Sequence, residues 1–290
     1  MRVAVILGLG ASEKELVLFR KNSSATFTLG VPADPADADA ILILGGDGTV
    51  HRHLAQLVRL NLPVLVVPRG SGNDFARALE LRSTKDSVNA WHGFCLSRAN
   101  VKSIDLGLIS PIGTDGSTPS YFATVAGVGL DADVARRANK LPRWLRGHGG
   151  YALSLPPALF GFIPTRMRIS AIENDALVPG FNQPVFMTAF ANTAAYGGGM
   201  KIAPHAQMDD GKLDVCVISE IEKLKLFCLF PTVYFGRHLD VPQVEYFQAE
   251  RIRVETDTPM EVYADGEFVC RTPADVGVKR NALQVIVPNR

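Results

Sequence analysis

The sequence predicts an α/β N-terminal domain, a parallel sheet with crossover helices, followed by a mainly antiparallel, β-sandwich-like second domain. Three observations predict it. Short aliphatic runs alternate with a helix-patterned segment over the first hundred residues. Glycine-rich turns fall directly after two of those runs. From about residue 120 the pattern changes to period-two strands divided by Asp-Gly turns.

Arg2–Leu7, Ala40–Leu44 and Pro63–Val67 are continuous β-branched and aliphatic runs, the form of strands buried on both faces. Between the second and third, Thr49–Leu60 places Val50, Leu54, Leu57 and Val58 at i, i+4, i+7 and i+8, one apolar helix stripe. Strand, helix, strand in this order argues for parallel pairing through a crossover. The connection Val31–Ala40 (VPADPADADA) is polar, broken by proline and too short for a long crossover helix. In the second domain Thr165–Ile172 alternates Met167, Ile169 and Ala171 against Arg166, Arg168 and Ser170, a half-buried strand. Further strands are expected at Tyr121–Val128, Val185–Ala191, Leu213–Ile218, Arg251–Glu255, Met260–Ala264 and Phe268–Arg271. Asp115-Gly116, Asp210-Gly211 and Asp265-Gly266 supply turns. The boundary is placed in the loop Ser110–Ser120, giving domains 1–110 and 111–279.

Composition agrees with two ordinary cores. The chain has 290 residues, and ~150 residues per domain is a fair prior. Apolar residues make up 47%, and 30 basic against 29 acidic side chains leave a net charge of +1. That excludes a disordered chain, a coiled coil and a strongly basic nucleic-acid binder. Four cysteines without a Cys-x-x-Cys pair suit neither a zinc site nor a disulfide framework, and fit a reducing cytosol. The N-terminal apolar run is shorter than a signal-peptide core and ends in Gly-Leu-Gly, so it reads as a first strand. No run approaches 18 apolar residues, which argues against a spanning helix.

Two loops carry the chemistry. Gly45-Gly46-Asp47-Gly48-Thr49 follows a buried strand and opens a helix. Glycines there let a backbone approach a phosphate, and the helix N-terminus favours an anion. An aspartate in that place repels phosphate unless a metal intervenes, so Asp47 implies Mg²⁺ or a role beside the transferred group. The plainer alternative is a tight turn with Asp47 as helix N-cap. Pro68–Arg77 (PRGSGNDFAR) follows the next strand, with Gly70, Ser71 and Asn73 able to meet phosphate or ribose and Asp74 adding a second carboxylate. In open α/β sheets ligands bind at this carboxyl edge, where successive loops converge.

On these residues the chain resembles the soluble diacylglycerol kinase-type lipid kinases, which share a catalytic domain with sphingosine and ceramide kinases. The resemblance continues in order through Ile104–Gly107, Gly127–Ala132, Tyr196–Met200 with Ala203-Pro204 and Ala206, Asp209–Asp214 and Asp265-Gly266-Glu267. Gly-Gly-Asp-Gly by itself is shared with NAD kinases and 6-phosphofructokinases; the Pro68–Arg77 loop separates this chain from both. Two departures stand out. Gly8–Ser12 (GLGAS) replaces the family's Asn-Pro-x-x-Gly nucleotide loop, and Ser71 stands where threonine is usual. The Val31–Ala40 connection is also short for the family.

The resemblance implies an ATP- and Mg²⁺-dependent transfer of phosphate to a lipid hydroxyl of diacylglycerol or sphingoid type. Gly45, Gly46, Gly48 and Thr49 would cradle ATP phosphates, assisted by Gly70, Ser71 and Asn73. Asp47, Asp74 and Asp105 would organise Mg²⁺, and either Glu267 or Asp47 would take the hydroxyl proton. A structural Mg²⁺ is implied at Asp210, with carbonyls of Gln207 and Lys212, and the last strand, Leu283–Val287 within 280–290, is implied to return to the first domain. The bland readings are a strand-end turn for Asp105, a plain Asp-Gly turn for Asp210 and a type I′ hairpin for Asp265–Glu267. The partners implied are a lipid and a peripheral membrane surface, with no nucleic acid; a homodimer is left open.

Arg136–Gly150 (RRANKLPRWLRGHGG) is basic around Trp144 and suits an anionic membrane surface or a solvated face. Leu224–Leu239 is the most apolar stretch of the second domain and suits an acyl pocket, a membrane contact or core. His51 and His53 sit at i and i+2 on a helix, pointing to nearly opposite faces, which argues against a transition-metal pair. Two other functions stay open: a kinase for a soluble metabolite such as NAD, and a non-catalytic lipid-binding regulator.

Overall fold

A computed structural model describes residues 1–21, 24–113, 118–141, 150–174 and 176–289. The chain divides into two units, Met1–Asp105 with Arg280–Arg290, and Leu106–Lys279. It passes from one unit to the other inside two strands, β5 (Val101–Pro111) and β15 (Ala274–Ile286).

The first unit is built on parallel strands. β1 (Arg2–Leu7) pairs with β2 (Thr26–Leu29) on one side and β3 (Ala40–Gly45) on the other; β4 (Val64–Pro68) pairs with β3. The end of β15 lies beside β4, with Val285 opposite Val64, and Asn100 binds the Val287 carbonyl through Nδ2 at 2.7 Å. Every residue of β3 is buried, as befits a strand paired on both sides within a parallel sheet. α1 (Val17–Arg20) follows a 3₁₀ turn at Glu13–Leu16. α2 (Asp47–Leu60) buries Val50, Leu54 and Leu57 of the predicted stripe, leaves its fourth member, Val58, half-buried, and ends where Asn61 turns left-handed at φ 48°. α3 (Asp74–Ala78) is a short helix. α4 (Thr84–Ser97) is capped by Ser83 and anchored by the buried Trp91, whose Nε1 donates to the Phe19 carbonyl at 3.0 Å. Between β2 and β3 only a 3₁₀ turn forms, Pro35–Asp37, capped by Asp34.

Among the elements not expected are β2 and α4, while β15 extends the expected last strand, Leu283–Val287, back to Ala274. β2 is a mostly exposed four-residue strand (TFTL) without a buried run to mark it.

The second unit is antiparallel. Order along its main sheet is β14 (Glu267–Arg271), β13 (Glu261–Ala264), β7 (Val125–Gly129), β9 (Ala176–Ala191), β8 (Thr165–Glu173), β12 (Arg251–Thr256) and the first part of β15. β10 (Leu213–Ser219) pairs with β9 and β11 (Val244–Ala249), and β6 (Ser120–Phe122) pairs with β5. Expected strand Tyr121–Val128 is two strands, because Ala123 and Thr124 leave the ladder to bind a side chain described below.

Period two decides the packing. Leu213, Val215 and Val217 of β10 enter one core cluster with Met167, Ile169, Phe190 and Val262; Cys216 and Ile218 enter a second with Phe186, Met187 and Ala189. α5 (Leu130–Lys140), α6 (Gly150–Gly161) and α7 (Lys223–Leu229) are the helices of the unit's described residues, and residues of all three join that second cluster.

Candidate functional site

In the first unit the two predicted loops meet backbone to backbone. A Cβ on Gly46 would lie 2.6 Å from the Gly70 Cα, so neither position accepts a side chain without moving the other loop. Gly8 presses on the same place: its N–H donates to the Leu44 carbonyl at 2.7 Å, and a Cβ there would lie 2.5 Å from Thr49 Oγ1. Of the Gly8–Ser12 departure, Gly8 therefore packs on the glycine loop, with Thr49 itself buried, while Leu9, Gly10 and Ser12 are exposed.

Asp47 is not the N-cap of its own helix. Gly46 holds that position, and the Asp47 carboxylate reaches across to the start of α3, accepting the N–H of Asp74 at 3.1 Å and of Phe75 at 3.0 Å. The two acids come close: a Cβ on Gly72 would meet Asp47 Oδ2 at 2.7 Å and Asp74 Oδ2 at 3.5 Å. Asn73, left-handed at φ 54°, takes the Gly70 N–H on Oδ1 at 2.7 Å and gives Nδ2 to the Gly70 carbonyl at 2.6 Å. Its amide thus shapes the loop around Gly70, while Ser71 is exposed. Arg69 pairs with Glu15, a contact that sequence spacing gave no sign of. Asp105 is buried and accepts the Asn281 N–H on Oδ1 at 2.7 Å, tying the returning strand to β5.

In the second unit, Asp265-Gly266 makes the predicted hairpin turn, with φ 51° and 83°, and Ala264 faces Glu267. Asp265 holds this turn: its carboxylate accepts the N–H of Ala123 at 2.9 Å and of Thr124 at 2.8 Å, and the Thr124 hydroxyl at 2.5 Å. Glu267 itself is exposed at the start of β14. Asp210 forms its turn as an acceptor, from Lys212 N–H at 3.0 Å and from Gln248 Nε2 at 3.2 Å. Asp214, deeper in β10, accepts Tyr246 Oη at 2.6 Å. Burial first, then this carboxylate, pushes the Tyr246 phenol well above its ordinary value.

A cavity of ≈ 60 Å³ opens in the same unit. Its wall is apolar, including Val134, Leu159, Met187, Leu226, Phe230 and Val233. Leu224–Leu239 divides between roles: it is α7 and two 3₁₀ turns, with Leu226, Phe230 and Val233 facing the cavity and Leu224 and Phe235 exposed. Among the polar groups at the wall are His238 and the pair Asp131–Tyr196, where the Tyr196 hydroxyl donates to Oδ1. Burial pushes the Asp131 carboxyl up to about 6, and the Tyr196 bond pulls against it. Gly127–Ala132 and Tyr196–Met200 are remote in sequence, and this pair joins them; three successive glycines, Gly197 to Gly199, have positive φ to turn Tyr196 inward.

Of the basic run, Arg136, Arg137 and Lys140 lie on α5, while Arg143, Trp144 and Arg146 lie outside the described residues, as does Asp115-Gly116. Burial pushes the Asp133 carboxyl up, but Arg137 and Arg136 beside it hold it below its ordinary value. Among the described residues no group of three or more metal-ligating side chains gathers. His53 binds Gln56 through Nδ1 at 3.0 Å.

Residues 15–109 match the family model of the diacylglycerol kinase catalytic domain, and residues 124–287 match that of the YegS C-terminal NAD kinase beta sandwich-like domain. A diacylglycerol kinase of Mycobacterium tuberculosis is 33% identical over 256 residues, covering 86% of this chain and 77% of its own. One of Bacillus subtilis is 25% identical over 252 residues, covering 86% and 78%. A crystal structure of a Bacillus anthracis diacylglycerol kinase superposes with TM-score 0.67 at 16% identity, covering 99% and 96%, a likeness of fold.

Proposed function

We propose that this chain, which belongs to the diacylglycerol kinase family and is a lipid kinase, transfers the γ-phosphoryl group of ATP, with Mg²⁺, to the hydroxyl of a diacylglycerol- or sphingoid-type lipid at a membrane surface. The observation that carries the reading is the junction of the two glycine loops, with Asp47 and Asp74 converging beside Gly72. The glycine backbones at Gly45, Gly46, Gly48 and Gly70 would let phosphate oxygens approach the main chain, and the α2 N-terminus adds a favourable dipole. Two carboxylates within reach of one point are hard oxygen donors, suited to Mg²⁺ that keeps waters and phosphate oxygens as its other ligands. When bound, ATP supplies the phosphoryl group, and Mg²⁺ neutralises its charge.

This chain's residues then divide the work. Both Asp47 oxygens engage the α3 backbone, so Asp47 positions the second loop and orients Asp74. Proton acceptance from the lipid hydroxyl falls to Glu267, exposed on a turn that Asp265 holds rigid. The apolar cavity has room for the end of an acyl chain, which its hydrocarbon wall would favour. Asp105 ties the returning strand to β5 by fixing Asn281. Asp210 is assigned a structural Mg²⁺ with backbone oxygens, a site that chelation would test.

The test is transfer of labelled γ-phosphate from ATP with Mg²⁺ to diacylglycerols, ceramides, sphingoid bases and phosphatidylglycerol in mixed micelles, with NAD and glycerol as soluble acceptors. Label in a lipid product is expected. Label on NAD in place of every lipid would overturn the reading.

A further inference from the structure

α5 touches the hairpin that carries Glu267 at three kinds of contact along its length. Ala132 and Ala135 pack on Tyr263 of β13. One turn on, Arg136 reaches Glu261 at 3.6 Å, and Glu261 is also held by Arg271 of β14 at 3.8 Å. At the last turn, Asn139 Nδ2 donates to the Gly266 carbonyl at 2.6 Å. Gly266 is the residue before Glu267, and its φ of 83° marks the turn itself. Asp265 pins one side of the turn to Ala123 and Thr124, so Asn139 supplies a second grip on the next residue. A turn peptide held from both sides loses the rocking that would swing the following side chain. The same helix, at its N-terminal end, gives Leu130, Asp131 and Val134 to the cavity wall.

We propose that Asn139 is a positioning residue for phosphoryl transfer, acting through Glu267, with α5 as the strut between the lipid cavity and the turn that presents the base. This rests on the reading of Glu267 as proton acceptor. Asn139 is exposed, so its replacement leaves the core of the unit intact.

The experiment measures kcat and KM for ATP and diacylglycerol in N139A, N139D, E267Q and the double variants N139A/E267Q and N139D/E267Q. N139D keeps the size of the side chain and removes the N–H donor. Both single Asn139 variants are expected to lower kcat roughly three- to tenfold, the worth of one hydrogen bond, with each KM within about twofold of wild type. On the E267Q background neither substitution should lower kcat further, because its route is already closed. Wild-type kcat in N139D would overturn the proposal, since the donor would then be unnecessary. Multiplicative losses in the doubles would overturn it too, by showing that Asn139 acts elsewhere. Full activity in E267Q by itself would strike out the base reading and the proposal resting on it, and is distinguishable because no Asn139 variant is involved.

Discussion

Asp47 and Asp265 do the same local work in two different frameworks. Each carboxylate accepts two backbone N–H groups from a segment remote in sequence: Asp74 and Phe75 for Asp47, Ala123 and Thr124 for Asp265. In the first unit the clamp joins two loops at the carboxyl ends of neighbouring parallel strands, where glycine backbones are already in contact. In the second it closes an antiparallel hairpin and leaves the following acid exposed. The lesson is that a conspicuous Asp in a glycine-rich turn can be there to hold the turn. In one framework the clamp fixes the junction of two glycine loops; in the other it fixes the turn that precedes an exposed carboxylate, Glu267.

Substituting Asp47 breaks the comparison most severely. Asp47→Ala removes the loop clamp and one of the two convergent acids together, so transfer should fall by about 10³-fold or more in the labelled-phosphate assay. Loss no greater than that of Asp265→Ala would mean that the two clamps are equivalent and that Asp47 has no second role.

Asp131 sharpens the contrast as a carboxylate buried at a cavity wall, with a phenol among its partners. Between pH 3.8 and about 6 the folded protein keeps a proton that the unfolded chain has released, so stability falls as pH rises through that window. The displacement corresponds to about 3 kcal/mol, an upper figure for a buried group. Asp131→Asn should remove this slope and raise stability at pH 7.5, read by urea unfolding across pH 4 to 7.5. Identical slopes in the two proteins would refute it.

Gly70→Ala tests the glycine contact without touching a charge. Its Cβ would lie 2.5 Å from the Gly46 Cα, a backbone atom that cannot swing away. The overpacking should cost about 2 kcal/mol and raise KM for ATP, measured by thermal unfolding and initial rates. An unchanged KM would show that the junction is no part of the nucleotide groove. Thr124→Val is the mildest probe: it removes one of the Asp265 bonds, at about 1 kcal/mol, and should lower kcat severalfold while KM for ATP stays put.

Much of this was legible in the chain. The buried runs at Arg2–Leu7 and Ala40–Leu44, the α2 stripe and the Asp265-Gly266 turn each carry a local signature that neighbours do not override. β2, by contrast, is mostly exposed and short, and exists because β1 offers it an edge. Tyr121–Val128 reads as one strand because it is mostly apolar and holds no turn residue pair; the interruption at Ala123–Thr124 is imposed by Asp265, some 140 positions later.

The site divides in the same way. Residue types and their order determined which atoms were available: glycines able to lie against phosphate, carboxylates at strand ends, a hydrocarbon stretch at Leu224–Leu239. Tertiary structure decided what each atom is used for. Asp47 turned from a cap of its own helix into a clamp on the next one, and Asn73 into a brace for Gly70. Asp131 met Tyr196, and Asn139 met Gly266. The physical reason is range. Propensity, periodicity and turn chemistry act over a few residues and are written in the local sequence. A hydrogen bond between positions 65 or 127 apart exists only once strand pairing and helix packing have brought them together.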